Sequence, residues 1–312
     1  MISLRYHVVS VAAVFLALAV GVVLGSTTIS GRLLSGLTDD NGALGREVAS
    51  LQEQRNALDA RVADADRFAG SVGPLAVKGQ LADRTVVLVT AADARPEDRD
   101  ALAELLRAAG ATVTGELQLT EAFADPDKAD QLLGMVARLQ PAGTELPAGS
   151  DPGTRAGGLL GSVLLIDKDT NQPQATEDEV AAALGGLSSA GFVKPGQGTR
   201  PAQLAVVLTG GRVDGESAGD RAAVVARFAT QLDRSGAGAV LAGGRGSAEG
   251  TGPVGVVRAD TAATSVLSTV DTLDLAAGRV VTVLALREQL EGKAGRYGAA
   301  GNAEAPAPGA SG

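Results

Sequence analysis

Apolar and polar positions follow three different rhythms along this chain. From Tyr6 to Gly31 there is no Asp, Glu, Lys or Arg, and Val8 to Leu24 forms the apolar heart of that run. About 17 residues in a helix reach roughly 25 Å, and the small residues up to Ile29 carry the reach past a hydrocarbon core of ~30 Å. The pattern predicts one membrane-spanning helix over residues 1–31. A cleaved export signal is the alternative, because Val23-Leu24-Gly25 before Ser26 has the small-residue character that cleavage requires. Retention is favoured by a run longer than the usual signal core and by a leader whose only charged side chain is Arg5. Arg5 before the span, with Asp39 and Asp40 soon after Arg32, leaves the N-terminus cytoplasmic and the bulk of the chain outside.

The second rhythm is a heptad. Leu37, Leu44, Leu51, Leu58 and Ala65 recur at one position, and Leu34, Asn41, Val48, Arg55 and Val62 recur at the position that alternates with it. β-Branched residues at a facing Leu at d favour a parallel two-stranded coiled coil, in which Asn41 would set register and Arg61 would pair with Asp66 of the partner helix. Residues 32–69 are therefore expected to form a stalk whose seam is Leu34, Leu37, Asn41, Leu44, Val48, Leu51, Arg55, Leu58 and Val62. An amphipathic helix packed on its own domain is the other reading. Gly42 and Gly45 weaken the first turns by roughly 1 kcal/mol each. Gly70, Gly73 and Pro74 end the pattern and mark a hinge.

From residue 75 to 298 the rhythm alternates between strand and helix. Thr85 to Thr90 and Ala111 to Leu119 read as strands around a helix from Pro96 to Ala109, which predicts a βαβ unit. Pro96-Glu97-Asp98 suits a helix start and Gly110 a stop. Further helices are expected at Lys128–Leu139, Arg155–Leu165, Glu177–Leu184 and Asp220–Leu232. Buried strands are expected at Leu204–Thr209, Gly238–Ala242 and Val254–Arg258, and Arg279–Leu286 is a last apolar run. Pro141 to Gly153 reads as a long loop. The fold class is thus α/β, with an N-terminal transmembrane helix, a coiled-coil stalk and a mixed or parallel-sheet α/β domain. Residues 299–312, rich in Ala, Gly, Pro and Ser, have too little apolar bulk to offset the entropy of ordering and are expected to be disordered.

Composition changes this picture by exclusion. The formal net charge is −9 and no basic run occurs, so nucleic acid is not an expected partner. There is no Cys, which rules out disulfides and thiolate metal sites. With 2 Tyr, 5 Phe and no Trp, the aromatic girdles of an outer-membrane barrel are missing. The one His, His7, flanks the membrane run, which leaves the exported domain without a Ser-His-Asp triad and points to a non-enzyme. Soft donors for Cu(I) come down to Met1 and Met135, so no copper ligand set is assigned. The acidic pairs Asp125/Asp127 and Asp167/Asp169 and the run Glu177–Glu179 read as loop and helix-start charges.

Two glycine clusters follow predicted strands: Thr209-Gly210-Gly211-Arg212 and Ala242-Gly243-Gly244-Arg245-Gly246-Ser247. At the C-terminal ends of parallel strands such turns can hold a ligand, which makes Gly210, Gly211, Gly243, Gly244 and Arg245 a candidate ligand turn. Plain turns are the simpler reading, since neither cluster is a phosphate-binding loop of known spacing. No cofactor is identified.

The start, Met1-Ile2-Ser3-Leu4-Arg5-Tyr6-His7-Val8-Val9-Ser10 and onward through Gly25, resembles the MctB-type copper transporter family of mycolic-acid bacteria. The resemblance continues through Leu119-Thr120-Glu121-Ala122-Phe123, Val207-Leu208-Thr209-Gly210-Gly211 and Leu284-Ala285-Leu286-Arg287 to Gly295-Arg296-Tyr297-Gly298. It implies a cell-envelope channel, with outer-membrane location in the family's description, that lowers intracellular copper by export; copper is then the transported ion. Related SteB-type proteins imply an alternative, a non-enzymatic scaffold acting through its coiled coil with a division partner on a peptidoglycan hydrolase. Either way the expected assembly is a homodimer or higher homo-oligomer.

Overall fold

The computed structural model describes residues 4–149 and 151–309. The side chains of residue 4 and of residues 26–43 lie outside the description, and with them those of Leu34, Leu37 and Asn41. Residues 310–312, the end of the expected disordered tail, are also outside it. Two compact units divide the chain, residues 1–65 and residues 66–312.

The first unit consists of helix α1, Leu4–Ala76, whose last turns belong to the second unit. Arg5–Gly25 is long and apolar enough to cross a membrane, with mean hydropathy 2.7, and a signal sequence would have the same length and composition. None of that window is buried by protein, so its apolar side chains lie open at the helix surface.

The helix does not stop at Gly70, Gly73 and Pro74, which corrects the expected hinge. Pro74 stands within three residues of the helix end, where one lost backbone bond matters little. The glycines serve close packing: a Cβ on Gly73 would lie 3.0 Å from Val280 and one on Gly70 3.7 Å from Ala276.

The second unit is a seven-stranded sheet with helices on both faces. In chain order its elements are β1 (Thr85–Thr90), α2 (Pro96–Ala108), β2 (Thr112–Leu119), α3 (Ala129–Arg138), α4 (Pro152–Leu164), α5 (Glu177–Ser189), β3 (Val193–Pro195), β4 (Leu204–Thr209), α6 (Ala218–Ser235), β5 (Ala239–Gly243), α7 (Pro253–Arg258), α8 (Thr261–Thr264), β6 (Ser268–Val270), α9 (Ala276–Gln289) and β7 (Arg296–Tyr297). The strand order is β3-β2-β1-β4-β5-β6-β7. Every neighbouring pair is parallel except β2 with β3. The mixed sheet and the β1-α2-β2 unit agree with the sequence reading.

Alternation of side chains across the strands builds two cores. Val87, Val89, Val207 and Leu241 face α3 to α7, where Leu132, Leu160, Leu187, Phe228 and Val254 complete one core. Val86, Leu88, Val206 and Val240 face the other way, against Leu102 and Leu106 of α2 and Val283 and Leu286 of α9. Each such burial contributes about 1.5 to 3 kcal/mol. On the first face, α4 lies against α6 at backbone distance. A Cβ on Gly153 would sit 2.3 Å from the Val224 carbonyl oxygen, on Gly157 2.8 Å from that of Phe228, and on Gly161 2.3 Å from Ser235 Oγ.

Two further corrections concern the end of the chain. Val254–Arg258 is helical, not a strand, because Gly252 caps a helix opened by Pro253, whose missing N–H costs nothing at a first turn. The segment after Tyr297 is ordered as far as it is described: Asn302 Nδ2 donates to the Ala248 carbonyl at 2.9 Å, and Arg296 pairs with Glu304 at 3.4 Å. Composition foretold disorder from scarce apolar bulk, whereas polar bonds hold this segment.

Those bonds centre on a buried ion pair. Arg258 Nη1 meets Asp271 Oδ2 at 2.6 Å, with both side chains all but inaccessible. The guanidinium also donates to Thr269 Oγ1 at 3.0 Å, the Tyr297 carbonyl at 2.8 Å and Asn302 Oδ1 at 2.8 Å. Asp271 in turn accepts from the Ala299 and Ala300 amides. Burial lowers the Arg258 pKa while Asp271 opposes the shift.

Candidate functional site

In this sheet β1 is flanked by β2 on one side and β4 on the other, so the chain reverses its direction of travel across the sheet at the β1/β4 boundary. In open α/β sheets the loops leaving the strands on either side of such a boundary part and leave a crevice at the C-terminal edge. Here that crevice is a cleft of ≈ 250 Å³. Three loops form it: Ala91–Asp93 after β1, Thr120–Ala124 after β2 and Arg212–Asp214 after β4, with Arg221 and Val225 of α6 beside them.

Local chemistry sets each loop. The Ala91 amide donates to the Leu208 carbonyl at 2.8 Å, which continues the β1–β4 ladder one residue beyond the strand. Asp93 is thereby held beside Thr209, whose Oγ1 donates to both carboxylate oxygens at 3.3 Å. After β2, Thr120 Oγ1 donates to the Gly191 carbonyl at 2.6 Å and the chain turns through a short 3-10 helix, Glu121–Phe123. That turn drives Phe123 into the core, edge-on to Phe228 at 5.3 Å, and leaves Glu121 exposed at the cleft.

The candidate ligand turns end up side by side, after β4 and β5. The Gly244 amide donates to the Gly210 carbonyl at 2.9 Å, so this N–H is committed to protein. There is no room for a side chain at Gly210, where a Cβ would lie 2.5 Å from the Asp93 carbonyl oxygen, or at Gly211, 2.6 Å from that of Arg245. A Cβ on Gly243 would come within 2.4 Å of Ser247. The glycines therefore let three loops close on one another, and the side chains flanking them line the cleft. Arg245 is separated from this group: it lines a neighbouring hollow of ≈ 290 Å³ together with Asp271, Asp274 and Ala299.

The residues that sequence reasoning missed are Asp93, Thr120, Glu121, Arg212 and Arg221. Arg212 stood in the glycine cluster after β4 and Thr120 and Glu121 in a stretch that carries the resemblance, but none was read as a site residue, and only the strand order brings their loops together. Arg212 Nε pairs with Asp214 at 3.1 Å and its Nη1 with Glu249 at 3.4 Å. Arg221 Nη2 donates to the Asp214 carbonyl, while its Nε is buried without a hydrogen-bond partner.

The other acidic clusters have structural roles. Asp125 accepts from the Asp127 amide, Asp167 from the amides of Asp169 and Thr170, and Thr176 with Glu179 forms a capping box on α5. These bonds hold the pKa of Asp167 and of Glu179 below the usual carboxylate range. Met135 Sδ accepts from Arg138 Nη2 at 2.9 Å. Among the described residues no group of three His, Cys, Asp or Glu is placed to hold a metal ion.

Comparison with known proteins gives the family. The model of the family described as "Copper transport outer membrane protein, MctB" matches residues 1–308. The chain is 39% identical over 303 residues to the copper transporter MctB of Mycobacterium tuberculosis and, to the same extent, to that of Mycobacterium bovis, covering 96% of each chain. To the copper transporter MctB of Mycobacterium leprae it is 38% identical over 306 residues, again with 96% of each covered. Two of the stretches on which the resemblance rested, Leu119–Phe123 and Val207–Gly211, run into the loops that form the cleft. By a match that spans almost its whole length, the chain belongs to the MctB copper transport family.

Proposed function

We propose that this protein is a cell-envelope component of copper transport, non-enzymatic, held by α1 in a membrane and assembled as a dimer or higher oligomer. The observation that carries the reading is the family match over residues 1–308, supported by relatives that bear the name copper transporter MctB over nearly their full length. The apolar Arg5–Gly25 segment suits a membrane anchor with the N-terminus cytoplasmic and the α/β domain outside. A single span encloses no path for an ion, so passage of copper rests on several copies or on a partner. The heptad positions Leu44, Val48, Leu51, Leu58 and Val62 support self-assembly, since each residue is 45 to 58% exposed in one copy.

The test is a deletion strain. With this chain absent, cellular copper should rise and growth in copper should fail, and both should return to normal on re-expression of the full chain. Unchanged copper content with unseparated cells would replace transport by the scaffold reading.

A further inference from the structure

We propose that the switch-point cleft binds a small zwitterion of the amino-acid and short-peptide class, its ammonium group toward Asp93 and Glu121 and its carboxylate toward Arg221. The cleft's ≈ 250 Å³ lies just below the ~300 to 1,000 Å³ of sites for larger ligands, so its occupant is small. Its charges are divided by loop. The loops after β1 and β2 bring Asp93 and Glu121, whereas α6, which follows β4, brings Arg221.

Arg212 is already neutralised by Asp214 and Glu249. Arg221 is not: one arm is fixed on the Asp214 carbonyl and Nε is buried with its proton unmatched. The sealed Nε is out of a ligand's reach, but Nη1 has no acceptor among the described residues, and a ligand carboxylate would supply one. On the opposite wall the Asp93 carboxylate accepts only the long bonds from Thr209, and among the described residues the Glu121 carboxylate has no hydrogen-bond or ion-pair partner. Both carboxylates therefore keep capacity for a three-donor ammonium group. Leu119, Phe123 and Val225 line the space between and suit an apolar side chain.

Simpler occupants fit less well. An inorganic anion would face two carboxylates, and a metal cation would face Arg221 with too few ligands.

Calorimetric titration of the full chain in detergent micelles tests the proposal with L-leucine and L-alanyl-L-alanine, against N-acetyl-L-leucine and L-leucinamide. Saturable binding of a zwitterion is expected, with either capped analogue weaker by about tenfold or more. The tighter of the two zwitterions tells a free amino acid from a peptide. The double variant Asp93→Asn, Glu121→Gln should bring L-leucine and N-acetyl-L-leucine to within about twofold of each other, because the amine has lost its acceptors. Arg221→Gln should do the same for L-leucine and L-leucinamide. Unfolding would abolish binding of every probe alike, so loss of discrimination at one end alone separates recognition from damage. Absence of saturable binding by either zwitterion, or capped analogues that bind the unaltered chain equally well, would overturn the proposal.

Discussion

The two units are comparably apolar along much of their length and put that apolarity to opposite uses. In the α/β domain, residues such as Val87, Val206, Val240 and Phe228 are completely buried by other parts of the same domain. In α1, Val9, Phe15 and Leu16 leave about two thirds of their surface uncovered, and so do more than half of Leu44, Leu51 and Leu58. A sheet with helices on both faces is closed on itself, whereas one helix has no second layer to bury its stripe. The domain is therefore expected to fold on its own core, and the helix requires an environment. Lipid suits its charge-free first part and a second copy suits its heptads.

This contrast can be broken first at the domain's polar centre. Arg258→Ala would leave Asp271 charged and buried with its partner gone, and breaking such a pair costs about 3–5 kcal/mol. Chemical unfolding monitored by circular dichroism should show the loss, together with early protease cleavage after Tyr297, where the chain is tied to this pair. A variant as stable as the parent would mean that the pair contributes little to holding the domain together.

A smaller effect should follow pH. Burial pushes the Asp233 pKa up to about 7, against the Ala239 amide it accepts from and the positive charges of Arg234 and Lys168. Because the folded pKa is above the unfolded one, stability is greatest below the ordinary carboxylate range and is lost as pH rises through about 7. Asp233→Asn keeps an acceptor for Ala239 and removes the titration. Relative to the parent, it should gain roughly 2 to 4 kcal/mol at pH 8 and little at pH 4. Parallel stability curves for the two proteins from pH 4 to 8 would contradict this.

The smallest effect on the domain sharpens the comparison most. Leu51→Asp places a charge on the exposed seam of α1, at a residue that belongs to neither core of the α/β domain. Domain unfolding should move by less than about 0.5 kcal/mol. Self-association in detergent, measured by sedimentation, should fall by at least about tenfold, since a buried Asp in a zipper is left without a partner. An undisturbed oligomer would take the heptads out of the interface.

Legibility varied with the length and locality of each signal. Thr85–Thr90 and Leu204–Thr209 were found to the residue because a β-branched run bounded by turns admits few other readings. Val193–Pro195, Ser268–Val270 and Arg296–Tyr297 have two or three residues each, too few for a period to appear. Pro195 carried one usable hint, since proline in a sheet keeps to edges and β3 is an edge strand. The spacing of Gly153, Gly157 and Gly161 was also visible, but its meaning needed α6 alongside. At the candidate site the glycine turns were found and their role was not, because spacing shows that a turn is tight without showing what lies against it.

What the sequence determined by itself is local or periodic: an apolar run long enough for a bilayer, a heptad, strands and helices in alternation, and the scarcity of soft metal donors. These follow from side-chain hydrophobicity at fixed helical and strand repeats, which needs no knowledge of neighbours. The tertiary structure alone decided that Asp93, Glu121 and Arg221 share one cleft, that Arg258 ties the end of the chain to Asp271, and that a Pro-led apolar segment is α7 and not a strand. Each depends on strand order and on contacts between residues far apart in sequence, and a parallel sheet sets these through the packing of its two faces as a whole.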